Sequence, residues 1–182
     1  MQEEVNPWET IDTEIVYSNN WIDLKHNKVI TPANKEGIYG VVHFKNIAVA
    51  VVPIDNEGNT YLVGQYRYPL NTYSWELPMG GSPINENVLE GAKRELIEET
   101  GLVAEKWTEI AKLHTSNCVT DEEGVIFLAE NLTQKTAVPE DTEVLAIKKM
   151  PFSVAFEMAM NGEITDSISL IGIFKVARYL KI

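Results

Sequence analysis

The order of secondary-structure signals constrains this chain more than any single residue does. Two groups of strand-like segments flank one sharply bounded helix, and two further helices close the sequence. The central helix spans about Val88 to Thr100. Asn87 can cap its start, with Glu90 three residues on, and Gly101 ends it. Ahead of it, Asp55-Asn56-Glu57-Gly58-Asn59 separates Ile47–Ile54 from Thr60–Arg67. Both flanks are rich in Val, Ile, Leu and Tyr, and they read as two strands and a turn. Trp21–Val29, Ile38–Lys45, Trp107–His114, Gly124–Ala129 and Val144–Lys148 also read as strands. The later helices run from Phe152 to Met160, stopping at Asn161-Gly162, and from Asp166 to Leu180. The last has only a narrow polar strip at Gly172, Lys175 and Arg178, so protein must cover most of it. This order predicts an α+β chain, an α/β/α sandwich around a mixed sheet, and not a doubly wound parallel sheet.

Composition narrows the function. A chain of 182 residues, 45% hydrophobic and 23% charged, has the make-up of one globular domain with a substantial core. Its net charge of -12 repels polyanions, which argues against a general binder of nucleic acid or anionic membranes. A small anionic substrate then needs cations supplied locally. Cys118 is the one cysteine, so no disulfide forms within the chain, and a reducing, cytoplasmic setting is expected. The acidic amino terminus does not read as a secretory signal, and no run of about 18 apolar residues predicts a membrane span. His26, His43 and His114 show no metal-ligand spacing and read as structural.

The segment that carries chemistry is Gly80 to Leu102. Glu95, Glu98 and Glu99 stand at i, i+3 and i+4, on one helix face. Like charges at that spacing destabilise a helix by a few tenths of a kcal/mol per pair. Gathered carboxylates suit a hard divalent cation, with magnesium completing its shell from water and substrate phosphates. Such a metal would neutralise phosphate charge and activate water. Gly80 and Gly81 read as a tight turn that presents a backbone carbonyl, that of Met79, as a further ligand. Glu86 and Arg94 read as a brace, an ion pair fixing the loop to the helix. An ordinary solvated acidic face would not require the glycines and the arginine at these spacings.

This segment matches the Nudix box at every fixed position: Gly80, five residues, Glu86, seven residues, then Arg94-Glu95-Leu96-Ile97-Glu98-Glu99-Thr100-Gly101-Leu102. Gln65-Tyr66-Arg67-Tyr68-Pro69, Trp75-Glu76-Leu77-Pro78-Met79-Gly80 and Gly162-Glu163-Ile164-Thr165-Asp166 resemble the ADP-ribose and ADP-sugar pyrophosphatase branch. The resemblance implies a Nudix fold with extra amino-terminal antiparallel strands. Residues 1–45 would serve dimerisation and base binding, and 46–182 would form the hydrolase domain, within one compact unit overall. It implies Mg2+, with Mn2+ as a substitute, on Glu95, Glu98, Glu99 and the Met79 carbonyl. Glu95 and Glu98 also count as catalytic. Arg67, Glu76 and Gly80 would meet the substrate, Arg67 near its phosphates, with a strand-edge ion pair to Glu76 as the plainer alternative. Trp21 and Tyr39 would stack on the nucleobase, with strand packing as their alternative. Trp8 would be a further aromatic, with anchoring of the amino-terminal segment alone as its alternative. The general base falls on the loop 138–143, Glu143 first and Glu140 second.

The implied reaction is Mg-dependent hydrolysis of a nucleoside diphosphate sugar, ADP-ribose foremost, by a cytoplasmic homodimer that engages neither nucleic acid nor membrane. One departure stands out. The branch carries a Ser-Pro-Gly-like turn about fifteen residues after the box, and here Asn117 and Cys118 take the proline and glycine places. Other nucleotide sugars such as GDP-mannose, or a nucleoside triphosphate, are rival substrates. GDP-mannose enzymes tend to carry a lysine where this chain has Ile168. A nucleotide-binding module without activity is the rival of another class, and no box carboxylate is lost to support it.

Overall fold

The computed structural model describes residues 5–135 and 145–181. The chain separates into two compact units, residues 1–46 with 116–122, and residues 47–115 with 123–182.

The first unit is a three-stranded antiparallel meander of β1 (Glu9–Ser18), β2 (Ile22–Ile30) and β3 (Glu36–Phe44). Lys45 secures one end, with Nζ 2.7 Å from Asp23 and donating to the Asn19 carbonyl at 2.6 Å. The Lys45 hydrogen bond, joined by one from Ser18, holds the Asp23 carboxyl below its ordinary value. At the other end Asn34 takes a left-handed φ of 58° in the turn. The segment 116–122 lies along β3: Val42 N donates to the Val119 carbonyl, and Thr120 bridges Val42 in parallel. Among this unit's described residues only Val29 is buried, and β1 is exposed along its whole length.

The second unit holds the core. A four-stranded sheet, ordered β7-β4-β9-β8, comprises β7 (Met79–Pro83), β4 (Asn46–Pro53), β9 (Glu123–Gln134) and β8 (Leu102–His114). It is mixed, because β4 runs parallel to β9 and β8 antiparallel to it. Alternation along β4 divides the interior. Val49 and Val51 face Ala92 and Leu96 of α1 (Val88–Thr100). Ala50 and Val52 face α2 (Phe152–Met160) and α3 (Ser167–Leu180), among Phe152, Ala155, Ile173 and Val176. Helices therefore cover both faces, the expected sandwich. A second sheet, β10-β5-β6, is built from β10 (Ala146–Pro151), β5 (Asn59–Arg67) and β6 (Thr72–Glu76).

The helices start and stop where local chemistry directs. Asn87 Oδ1 accepts from Leu89 N at 3.0 Å, and Gly101 closes α1 at a left-handed φ of 71°. Asp166 caps α3 from outside the helix by accepting from Ser169 N at 2.7 Å. The strands correct the sequence reading in four places. β1 was not expected, since its apolar residues, Ile11 and the run Ile15-Val16-Tyr17, do not alternate regularly and its pairing with β2 shifts register twice. β6 and β7 were not expected either, because Leu77-Pro78 cuts them short. β8 starts at Leu102 rather than Trp107, its apolar pattern interrupted by Glu105 and Lys106. Gly80 and Gly81 lie in β7 rather than in a turn. The turn comes later, where Glu86 N donates to the Pro83 carbonyl at 2.8 Å.

Candidate active site

The acidic face of α1 turns toward β7. Glu99 is buried, only 3% exposed, and its Oε2 accepts from Met79 N at 2.9 Å. One turn back, the Glu95 carboxylate lies against Gly80 so closely that a Cβ added there would collide with it. Gly80 thus lies in a strand and leaves open the space that the Glu95 carboxylate occupies.

Arg94 binds this face together. Its Nη1 donates to Glu95 Oε1 at 2.8 Å and Glu98 Oε2 at 2.9 Å, and its Nη2 donates to the Gly81 carbonyl at 2.9 Å. Glu86 stands farther off, 3.7 Å from Arg94, and accepts from the Ser82 hydroxyl at 3.3 Å. The brace therefore runs mainly from Arg94 to the Gly81 carbonyl and its own helix, with Glu86 as a looser partner. Burial works against the Arg94 charge, but the Glu95 and Glu98 carboxylates outweigh it and hold its pKa above the ordinary value.

Arg67, ending β5, and Glu76, ending β6, form the second centre. Arg67 Nε donates to Glu76 Oε1 and Oε2 at 2.9 and 3.1 Å, and Nη2 pairs with Oε2 as well. The Glu76 hydrogen bond raises the Arg67 pKa, and burial opposes it less strongly. The ion pair named as the plainer alternative for Arg67 is therefore present, and it leaves Nη1 without a partner among the described residues. A cavity of about 230 Å³ opens beside it, lined also by Ser74, Thr165 and Asp166. The sequence attached no site role to those three, because β6 and the start of α3 share no local pattern.

The remaining candidates lie elsewhere. In the first unit, Tyr39 borders a cavity of about 600 Å³. Its hydroxyl donates to the Cys118 carbonyl at 2.7 Å, and its ring meets Trp8 edge-on at 5.4 Å. Trp21 does not join them. It sits between β1 and β2, its backbone N–H donating to Asn19 Oδ1 and the residue 65% exposed. The aromatic companion of Tyr39 is thus Trp8, a pairing that only the fold brings about. His43 Nδ1 lies 2.6 Å from Asp121 Oδ2. Glu140 and Glu143 lie outside the described residues.

Among the described residues, no three His, Cys, Asp or Glu side chains gather closely enough to hold a metal as they stand. The reason is visible in the bonds: Glu95 and Glu98 are held on Arg94, and Glu99 on the Met79 N–H. The donors are hard oxygens, and the Glu86, Glu95 and Glu98 carboxylates outnumber the one guanidinium among them. A divalent cation fits such a set once the carboxylates rotate off Arg94.

Comparison with known proteins bears on the whole chain. Residues 44–167 match the NUDIX domain family, and residues 8–42 match the nucleoside diphosphate sugar hydrolase N-terminal domain family. An ADP-ribose pyrophosphatase of Mycobacterium tuberculosis is 33% identical over 178 residues, covering 93% of this chain and 83% of that protein. An ADP-ribose pyrophosphatase of Bacillus subtilis is 34% identical, covering 87% of this chain and 86% of its own. A crystal structure of an ADP compounds hydrolase superposes with a TM-score of 0.87 over 99% of this chain and 97% of that one, at 20% identity, a likeness of fold. Since the matched region takes in β4 through the start of α3 with the acidic face of α1 at its centre, the chain belongs to the Nudix hydrolase family.

Proposed function

We propose that this hydrolase cuts the pyrophosphate of ADP-ribose with water, giving AMP and ribose 5-phosphate. The observation that carries the reading is the face of α1: Glu99 bound to the Met79 N–H, the Glu95 carboxylate lying against Gly80, and Glu98 joined to Glu95 through Arg94. Two relatives named ADP-ribose pyrophosphatase, each matching most of the chain, support the choice of substrate. Nudix hydrolases need a divalent metal. Mg2+, with Mn2+ as a substitute, would be held by Glu95, Glu98, Glu99 and the Met79 carbonyl. When bound, it supplies positive charge against the diphosphate and lowers the barrier to attack by water.

The chain's own groups do the rest. Glu76 fixes the Arg67 guanidinium, and its Nη1 is directed to a phosphate oxygen. A carboxylate of the 138–143 segment, Glu143 before Glu140, takes the proton from the attacking water. Tyr39, with Trp8 in place of Trp21, offers the nucleobase an aromatic edge in the cavity of the first unit. A homodimer fits the exposure of Ile11, Ile15, Val16 and Tyr17 along β1, each more than half exposed on a sheet with almost no core of its own. No helix of the described residues is long and apolar enough to cross a membrane, and the lone cysteine suits the cytoplasm.

The test is a product screen over ADP-ribose, ADP-glucose, GDP-mannose and nucleoside triphosphates, read by mass spectrometry with Mg2+ and with chelator. We expect AMP and ribose 5-phosphate from ADP-ribose, in Mg2+ only. Faster cleavage of a triphosphate than of any sugar nucleotide, or tight binding without products, overturns the reading.

A further inference from the structure

The link between β6 and β7 is anchored residue by residue to four different elements. The Glu76 side chain grips Arg67 on β5. Leu77 N donates to Ser169 Oγ on α3 at 2.9 Å. The Pro78 carbonyl accepts from Val51 N on β4 at 2.9 Å, and Met79 N donates to Glu99 on α1 at 2.9 Å. Three of these ties involve strands of the unit or the acidic face itself. The tie to α3 comes from a helix with no part in the box.

That tie is built for stiffness. Ser169 is fully buried, and its backbone N–H is bound by the capping Asp166 carboxylate. One turn on, Gly172 lets α3 approach the same residue: a Cβ there would lie 2.7 Å from Leu77 Cδ1 and 3.1 Å from Val52 Cγ2. Leu77 is therefore held by α3 through its N–H and through its side chain. A backbone N–H in so closed a place cannot turn to water, so losing its acceptor leaves it unpaired or shifts the link. The peptide that would shift joins Glu76 to Met79, the arginine clamp to the acidic face.

We infer that Ser169 is a positioning residue for the pyrophosphate-cleaving site, setting the Arg67–Glu76 pair at a fixed place relative to Met79 and Glu99 through the Leu77 N–H. The inference rests on the proposed reading of that site. It acts through the peptide, not by contact with substrate, so its signature is coupling to Glu76.

The experiment is a double-mutant cycle on the full chain, with ADP-ribose as substrate in Mg2+. Wild-type hydrolysis comes first, and its absence would be a failure of the proposed function rather than of this inference. With hydrolysis established, Ser169→Ala should lower kcat/KM about tenfold. Ser169→Thr, which keeps the hydroxyl, should recover most of the loss. In a Glu76→Gln background, Ser169→Ala should cost less than about threefold, since the group it positions no longer works. Ser169→Cys keeps the volume with a weaker acceptor, and it carries the same cycle should the alanine variant not fold. Wild-type turnover by a folded Ser169→Ala variant, or an undiminished tenfold loss in the Glu76→Gln background, overturns the inference.

Discussion

Arg67 and Arg94 are equally exposed, each with 35% of its side-chain surface in solvent, yet they are used in opposite ways. Arg67 gives two of its nitrogens to one carboxylate, Glu76, which is almost wholly buried. Arg94 is divided among Glu95, Glu98, the Gly81 carbonyl and, more distantly, Glu86. An exclusive, forked pair is geometrically fixed, so it holds the guanidinium in one place. A shared arginine among three carboxylates leaves negative charge in excess, and its bonds are exchangeable for another cation. The difference separates the part of the site that holds its shape from the part that must change on binding.

The largest expected effect comes from the shared cluster. Glu95→Gln should reduce kcat on the order of a hundred- to a thousandfold, because a ligand and a charge facing the diphosphate are both lost. Its melting temperature should stay within about 2 °C of wild type. The bond to Arg94 weakens, but like-charge repulsion along α1 is relieved by a few tenths of a kcal/mol. Added Mg2+ should raise the melting temperature of the wild type and not of the variant. A variant with wild-type turnover would dissolve the distinction between the two arginines.

The exclusive pair should answer the other way, with a larger share in stability. Glu76→Gln leaves a partly buried guanidinium short of its counter-charge. Breaking such pairs costs about 3 kcal/mol when both partners are buried, and solvent at Arg67 reduces that to about 2 kcal/mol. A fall of about 5 °C in the melting temperature should follow, together with roughly a tenfold loss in kcat/KM. Calorimetry and steady-state kinetics on one preparation measure both. Loss of activity with no loss of stability would make Glu76 a substrate ligand rather than a clamp.

What could be read from the sequence was what local chemistry decides. Asn87 and Gly101 bound α1, and Asp166 starts α3, through bonds to residues within four positions, so those ends were found; α2 was found from Asn161-Gly162 at its end. The acidic face followed from helical spacing alone. Contacts across long stretches of sequence stayed hidden. Gly80 looked like a turn residue because its neighbour, the Glu95 carboxylate, arrives from the next element. The contact of Trp8 with Tyr39 was not visible either, because Trp8 precedes β1 and meets Tyr39 of β3 only in the fold. Ser169 sits in an apolar helix stretch that gives no sign of its bond to Leu77. β1 could not be read by periodicity, since Ile15-Val16-Tyr17 run together and its register shifts twice against β2.

A third charge pair lies outside the site and is shared rather than exclusive, since Lys149 also stands 3.5 Å from Glu57. Asp55 Oδ2 is 2.8 Å from Lys149 Nζ, and Asp55 Oδ1 also accepts from the N–H groups of Glu57 and Asn59 in the β4–β5 turn. Burial would push the Asp55 carboxyl up, but the hydrogen bonds from Lys149, Asn59 and Glu57 outweigh it and bring the pKa down to about 2. The folded pKa lies below the ordinary 3.8, so the contribution to stability is fully present above that value and is lost as pH falls toward 2. Lys149 is half exposed, which limits the contribution to about 1 kcal/mol. Asp55→Asn should therefore melt about 3 °C below wild type at pH 7 and leave kcat/KM unchanged. The gap in melting temperature should narrow between about pH 4 and pH 2, as the wild-type carboxyl takes up its proton. A gap that stays constant over that range would mean the turn is held by the amide geometry that asparagine disturbs, not by charge. A drop in kcat/KM would mean that charge pairs outside the site are coupled to it, and the division between scaffold and exchangeable cluster would have to be redrawn.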